Sequence, residues 1–178
     1  MKRIIFALAI LLPALRATRL FAADHPADAV AVRIVPSRTD DKGGRSITLF
    51  QPAQHFHVVV TNVSREPVRL WREWCSWGYH CLSFVVVEDG RNTAVTKAEI
   101  SWRKNYPDST TLAPGEHMVF EVTFDKSVWP NAPVPDNGKS RVVRMKAVFA
   151  VPADEDARKL GVWTGEVSSP VEAYTVYR

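Results

Sequence analysis

The chain has 178 residues, of which 46% are hydrophobic and 24% charged, enough for one domain with a real core. Its 23 Lys and Arg against 19 Asp and Glu give a formal charge of +4, but the first 22 residues hold four basic residues and no acid, so the remainder balances at 19 to 19. A neutral chain without a block of basic residues lacks the clustered positive charge that binds phosphate backbones. This argues against nucleic acid as a partner.

The N-terminus has the pattern of a secretory signal. Lys2 and Arg3 precede an apolar run over residues 4–15, and small residues follow, with cleavage expected after Ala22 or Ala23. The run is short for a membrane span, which needs roughly 20 residues. We therefore predict a signal peptide over residues 1–22, a single domain over 23–178, a secreted or periplasmic location, and no membrane association after cleavage.

The rest of the chain predicts short β-strands between turns. Apolar and polar residues alternate in several segments; in residues 141–151, for example, the odd-numbered positions from Val143 onward are apolar. One short helix is expected in 152–161, which has acids early, basic residues late and Gly161 at its end. We predict an all-β, antiparallel immunoglobulin-like β-sandwich of about nine strands, over residues 28–35, 46–50, 54–62, 68–71, 82–89, 93–102, 117–124, 141–151 and 169–178.

Residues 54–125 also carry a recognisable order of turns. A strand, an Asn-x-Ser turn, a proline and a second strand ("VVVTNVSREPVRL", 58–70) precede an Asp-Gly turn at 89–90 and "LAPGE" at 112–116. This order resembles bacterial immunoglobulin-like exported domains and is similar to the β-sandwich family named for an intracellular proteinase inhibitor. The resemblance implies a sandwich fold and, as a function, proteinase inhibition. The segment 71–81 and the C-terminal part of the chain lie outside this pattern.

The segment "WREWCSWGYHC" (71–81) holds both cysteines of the chain. In an oxidising compartment Cys75 and Cys81 are expected to form a disulfide, whose short loop contributes about 2 kcal/mol by chain entropy. The alternative is a thiolate metal site for zinc or copper formed by Cys75, His80 and Cys81. No second ligand cluster accompanies it.

The same segment is rich in aromatic residues. Trp71, at a strand end, is expected in the core, whereas Trp77 and Tyr79, beside Gly78, are expected to be exposed. Trp74, Trp77 and Tyr79 are therefore the candidate binding residues, for a protein or carbohydrate ligand.

The remaining candidates are histidines that could bind metal. His55 and His57 share one strand face, which His117 could join, and a solvated sheet face explains them equally. Cleavage after Ala22 would leave Ala23-Asp24-His25, an amine and imidazole set that suits Cu(II) or Ni(II). We predict no metal site and keep His25, His55, His57 and His80 as the alternative ligands.

Catalytic motifs are missing from the sequence. It has no Gly-x-Ser-x-Gly, no His-Glu-x-x-His and no phosphate-binding glycine loop. We therefore predict an exported, non-enzymatic binding or accessory module without a cofactor, in which a disulfide-pinned aromatic loop (71–81) recognises the ligand. The alternatives are a periplasmic or extracellular metal-binding protein and, on the resemblance, a proteinase inhibitor.

Overall fold

The computed structural model describes residues 27–49 and 55–178 of the chain. The predicted signal peptide and His25 lie outside the described residues. Within them the chain forms twelve strands: β1 (Val30–Val35), β2 (Arg38–Thr39), β3 (Arg45–Thr48), β4 (Phe56–Asn62), β5 (Val68–Trp71), β6 (Leu82–Glu88), β7 (Arg91–Val95), β8 (Ser109–Leu112), β9 (His117–Val122), β10 (Ser140–Val151), β11 (Gly165–Ser168) and β12 (Glu172–Tyr177).

The helical segments are short. A 3-10 turn spans Ala27–Ala29, α1 spans Ser76–Tyr79 and α2 spans Glu155–Leu160. Helix α2 confirms the predicted C-terminal helix: the Asp154 side chain accepts a hydrogen bond from the Ala157 N–H at its start, and Gly161 ends it at a positive φ of 63°. No helix of the described residues is long and apolar enough to cross a membrane.

The prediction of a mainly β fold is confirmed, but the predicted number of about nine strands is wrong. The unpredicted strands β2, β8 and β11 have two to four residues each, too few for a period-two pattern to be recognised in the sequence. They are strands because they pair with β3, β5 and β10, which local sequence does not encode.

The strands form three sheets. One has the order β1-β4-β9, the largest has the order β2-β3-β12-β10-β6-β7 with β11 also on β10, and β5 pairs with β8. All described strand pairs are antiparallel except β12 with β3, which is parallel. The twelve-residue β10 is central, because it pairs with β6, β11 and β12.

The core lies between the three-stranded sheet and the largest sheet. Rings from β4 and β6 meet at 5.8 Å (Phe56 and Phe84), and rings from β9 and β10 meet at 5.9 Å (Phe120 and Phe149). Phe124 has a positive φ of 51°, an uncommon conformation for a residue with a side chain. Its ring is buried 4.9 Å from that of Phe56, so burial offsets the strain.

The predicted strand over 93–102 is wrong in its second half. Strand β7 ends at Val95, and the following residues leave the sheet so that Lys97 enters the interior. The N–H of Ala98 donates to the carbonyl of Val128 at 2.7 Å, outside the β6–β7 ladder. This departure positions one side of the candidate site described below.

A buried asparagine fixes the turn between β4 and β5. The Asn62 side chain donates to the carbonyls of Glu66 (2.8 Å) and Leu112 (2.9 Å), and its oxygen accepts from the N–H (2.9 Å) and the hydroxyl (2.7 Å) of Ser64. Asn62 has no exposed surface. Every polar atom of this side chain is therefore used in connecting β4, the turn and β8.

We expect Asn62→Ala to lower the free energy of unfolding by about 3 kcal/mol, because it leaves buried carbonyl groups without donors. The control is Ser127→Ala, which removes only an exposed hydroxyl bond to Asp125 and should cost less than about 1 kcal/mol. Denaturant unfolding measures both. Equal, small losses would contradict a structural role for Asn62.

Candidate functional site

The aromatic loop, residues 71–81, is fixed at both ends. Trp71 is 1% exposed and Cys81 is 3% exposed, so the prediction that Trp71 lies in the core is confirmed. The carbonyl of Arg69, just before the loop, accepts from the N–H of Trp163, and the carbonyl of Cys81 accepts from the N–H of Ala150. The first end of the loop is therefore held by the segment after α2, and its second end is held by β10 of the largest sheet.

Gly78 allows the loop to fold back on itself. It lies within α1, whose first turn is closed by the N–H groups of Gly78 and Tyr79 on the carbonyl of Cys75. A Cβ atom at position 78 would stand 1.9 Å from the carbonyl oxygen of Arg72. Only glycine lets α1 lie this close to the preceding chain.

Trp74 is the exposed aromatic side chain of the loop, with 66% of its surface accessible. Its indole N–H donates to the Asp108 carboxylate at 2.6 Å, and the Arg72 guanidinium lies 5.3 Å from its ring centroid. Arg72 also lies 3.7 Å from Asp108. The ring is thus held in one orientation although most of it faces solvent.

Trp77 points toward the body of the protein instead. Its indole N–H donates to Asp156 on α2 at 2.9 Å, and its ring lies 6.0 Å from that of Trp71. The side chain is partly buried against the core. The prediction that Trp77 is exposed is wrong, because α2 supplies a polar partner that the local sequence does not show.

Tyr79 is only partly exposed, because one part of its ring lies against the buried Lys97 side chain. The Lys97 ammonium lies 4.5 Å from the Tyr79 ring and 5.5 Å from the Trp129 ring, and pairs with the Glu73 carboxylate. Only 3% of the Lys97 side chain is exposed. Burial, followed by the charge of Glu73, raises the pKa of the Tyr79 hydroxyl.

Sequence reasoning missed Lys97, because the local pattern gives no sign that it is buried. A strand over 93–102 would place Lys97 on one face with the polar residues Glu99 and Ser101, whereas the chain leaves the sheet after Val95 and Lys97 enters the interior. A lysine at an inward position needs an acidic or aromatic partner. The aromatic residues and Glu73 of the loop are the partners that this position required.

The expected disulfide is absent, and both cysteines are buried free thiols. The Cys75 thiol donates to the carbonyl of Arg72 at 3.2 Å, and the Cys81 thiol donates to that of Trp77 at 3.0 Å. Burial, followed by the proximity of Cys75, raises the pKa of the Cys81 thiol to about 12. The loop is held by hydrogen bonds and ring contacts in place of the predicted covalent link.

A second segment, residues 103–108, lies against the aromatic loop. Asn105 accepts from the N–H of Ser76 at 2.9 Å and donates to the Ser76 hydroxyl at 2.6 Å. Asp108 binds Trp74 as described, and Tyr106 between them is 76% exposed. Two exposed aromatic side chains, Trp74 and Tyr106, therefore belong to one mutually anchored pair of segments.

Two clefts border the loop. The cleft beside Trp74 has a volume of about 240 Å³ and reaches Leu112, Met118 and Val119. The cleft beside Trp77 has a volume of about 550 Å³ and reaches Cys81, Asp154 and Glu166. We call them the Trp74 cleft and the Trp77 cleft.

The candidate metal ligands are dispersed. His55 pairs with Glu121, His80 lies 3.5 Å from Glu99, and His57 is half-buried on β4. Across residues 27–49 and 55–178, no group of three or more His, Cys, Asp or Glu side chains is placed to hold a metal ion.

Comparison with known proteins does not assign the chain to a family. No protein-family model, no curated protein and no solved structure matches the chain.

The three loop tryptophans should differ in their effect on stability. We expect Trp71→Ala to cost about 3–5 kcal/mol, as for a buried tryptophan, and Trp74→Ala less than about 1 kcal/mol. Trp77→Ala should lie between them at about 2 kcal/mol, since it loses a partly buried ring and leaves Asp156 without its donor. Denaturant unfolding gives the order, and a Trp77→Ala variant as stable as Trp74→Ala would contradict the inward position of Trp77.

The free thiols make a second prediction. In the folded protein neither cysteine should react with iodoacetamide at pH 8, and both should be labelled in denaturant without a reductant, as mass spectrometry will show. Because the Cys81 pKa is about 12 when folded against 9.0 for the unperturbed thiol, its contribution to stability is present below pH 9.0 and is lost as the pH rises toward 12. Thiols that stay unlabelled in denaturant would instead support the disulfide predicted from the sequence.

Proposed function

We propose that the chain is an exported, non-enzymatic binding or accessory module, a single immunoglobulin-like β-sandwich over residues 23–178 behind a signal peptide over residues 1–22. The N-terminal sequence pattern supports export to the periplasm or the exterior. The contacts between the β1-β4-β9 sheet and the largest sheet support a two-layer sandwich. The ligand is a protein or a carbohydrate, bound at the surface that contains Trp74.

The observation that carries this proposal is an exposed but immobilised aromatic ring. Trp74 is 66% exposed, yet its N–H is bonded to Asp108 and Arg72 lies over its ring. An exposed indole gains little stability from such an arrangement, whereas a ligand that binds it is spared the cost of ordering the side chain. Tryptophan is also among the residues that contribute most to binding energy at interfaces.

The surroundings of Trp74 extend this surface. Tyr106 adds a second exposed ring from the segment anchored to the loop, and Val119 on β9 is 52% exposed at the edge of the Trp74 cleft. Polar groups of Arg72, Glu73 and His117 surround the apolar floor formed by Leu112 and Met118. A mixed aromatic and polar surface of this kind suits a peptide side chain or the face of a sugar ring.

Proteinase inhibition remains the weaker candidate. It rests on the resemblance of residues 54–125 alone, and the sequence offers no identifiable reactive loop.

The test compares Trp74→Ala with Val142→Ala. Both residues are 66% exposed, and Val142 lies on β10 in the largest sheet, away from the loop. The purified protein is screened on a glycan array and against a displayed library of random peptides. We expect Trp74→Ala to abolish the binding found, Val142→Ala to retain it, and both to change the free energy of unfolding by less than about 1 kcal/mol. Ligands that bind Trp74→Ala and the unchanged protein equally would refute the Trp74 surface.

A further inference from the structure

The Trp77 cleft shares no lining residue with the Trp74 cleft. With a volume of about 550 Å³ it falls within the range of small-ligand sites. One wall is the aromatic loop, and the others are the end of β10, the residues leading into α2, and the start of β11. Elements that are far apart in the sequence therefore line the same open cleft.

The apolar wall of this cleft is held in position. The partly buried Trp77 ring packs against the core and is tied to α2 by its bond to Asp156. Val151 and Pro152 continue the apolar surface. Indole rings attract both aliphatic groups and cations.

The carboxylates Asp154 and Glu166 line the cleft, and His80 is the basic residue among the described residues that line it. None of the described side chains that line it belongs to a lysine or an arginine. Glu166 is exposed and has no ion-pair partner among the described residues, whereas Asp154 uses one oxygen, Oδ1, to cap α2 at 2.7 Å from the Ala157 N–H. Arg158 directs its guanidinium to the main-chain oxygen of Asp154 and does not line the cleft.

We propose that the Trp77 cleft binds an aliphatic chain that ends in an ammonium or guanidinium group. The arm lies against Trp77 and Val151, and the cation is neutralised by Glu166 and Asp154. Opposite charge attracts such a ligand, the indole stabilises it through its ring face, and an anion is repelled. A lysine or arginine side chain of a polypeptide is the expected source, because the cleft is larger than one such arm and accommodates the adjoining main chain.

Titration calorimetry tests this with three probes. The first is acetyl-Gly-Lys-Gly-amide, the second is the same peptide with norleucine in place of lysine, which keeps the arm without the charge, and the third is 1,5-diaminopentane. We expect the lysine peptide to bind, the norleucine peptide not to bind, and added salt to weaken the complex. The lysine peptide binding more tightly than the diamine supports a polypeptide source, and the reverse order overturns that source in favour of a free amine.

Substitution of the acidic residues tests whether the peptide binds in the Trp77 cleft. Glu166→Gln and Asp154→Asn should each weaken the lysine peptide by about 5-fold or more, since each removes one charge. Asparagine still caps a helix, so α2 is retained in Asp154→Asn. The matched control is Glu155→Gln, an exposed acid between Asp154 and Asp156 that does not line the cleft, and it should change affinity by less than about 2-fold.

Three results would overturn the proposal: no binding of either amine, equal binding of the lysine and norleucine peptides, or equal affinity in Glu166→Gln, Asp154→Asn and Glu155→Gln. Denaturant unfolding of each variant ensures that a lost signal is not lost folding. Because Trp74 is not part of this cleft, Trp74→Ala should bind the lysine peptide normally. The experiments therefore distinguish a failure of the proposal for the Trp74 surface from a failure of the proposal for the Trp77 cleft.

Discussion

The buried ammonium group of Lys97 organises the candidate site. An isolated cation in the interior is strongly unfavourable, so it requires a carboxylate or an aromatic face nearby. Glu73 and Tyr79 of the aromatic loop provide one of each, and Trp129, from the segment after β9, covers another side. Three segments that share no β-ladder are thereby held together by one side chain. The departure of the chain from β7 at Val95 is what brings Lys97 to this position.

This arrangement also determines what the loop offers to solvent. Tyr79 is used on the ammonium group and Trp77 on α2, so Trp74 is the loop tryptophan that remains outside. Gly78 makes the division possible, because its missing side chain lets α1 press against the chain at Arg72 and turn successive aromatic residues to different sides. A short segment with several aromatic residues thus serves two surfaces and the interior at once, with each ring given a separate polar partner.

The parts of the structure that depend on local pattern were predictable, and those that depend on distant partners were not. Alternation located β4, β9 and β10, and the cap residues located α2, because those signals lie within a few residues of one another. The orientations of Trp77 and Tyr79 depend on Asp156 and Lys97, and the position of Trp74 depends on Asp108, 34 residues away. The two cysteines suggested a covalent link by composition and compartment, but each thiol donates to a different carbonyl.

The turn that Asn62 fixes has a consequence for how the protein can be produced. Asn62-Val63-Ser64 reads as an acceptor for N-linked glycans, yet the Asn62 amide nitrogen is buried and donates to two carbonyls. In the folded protein a glycosyltransferase cannot reach it. In a eukaryotic secretory pathway, however, the glycan is attached as the chain emerges, before this turn closes. A sugar on that nitrogen would exclude it from the interior and separate β4 from β8, so a host that glycosylates asparagine would yield misfolded chains from an otherwise unaltered gene.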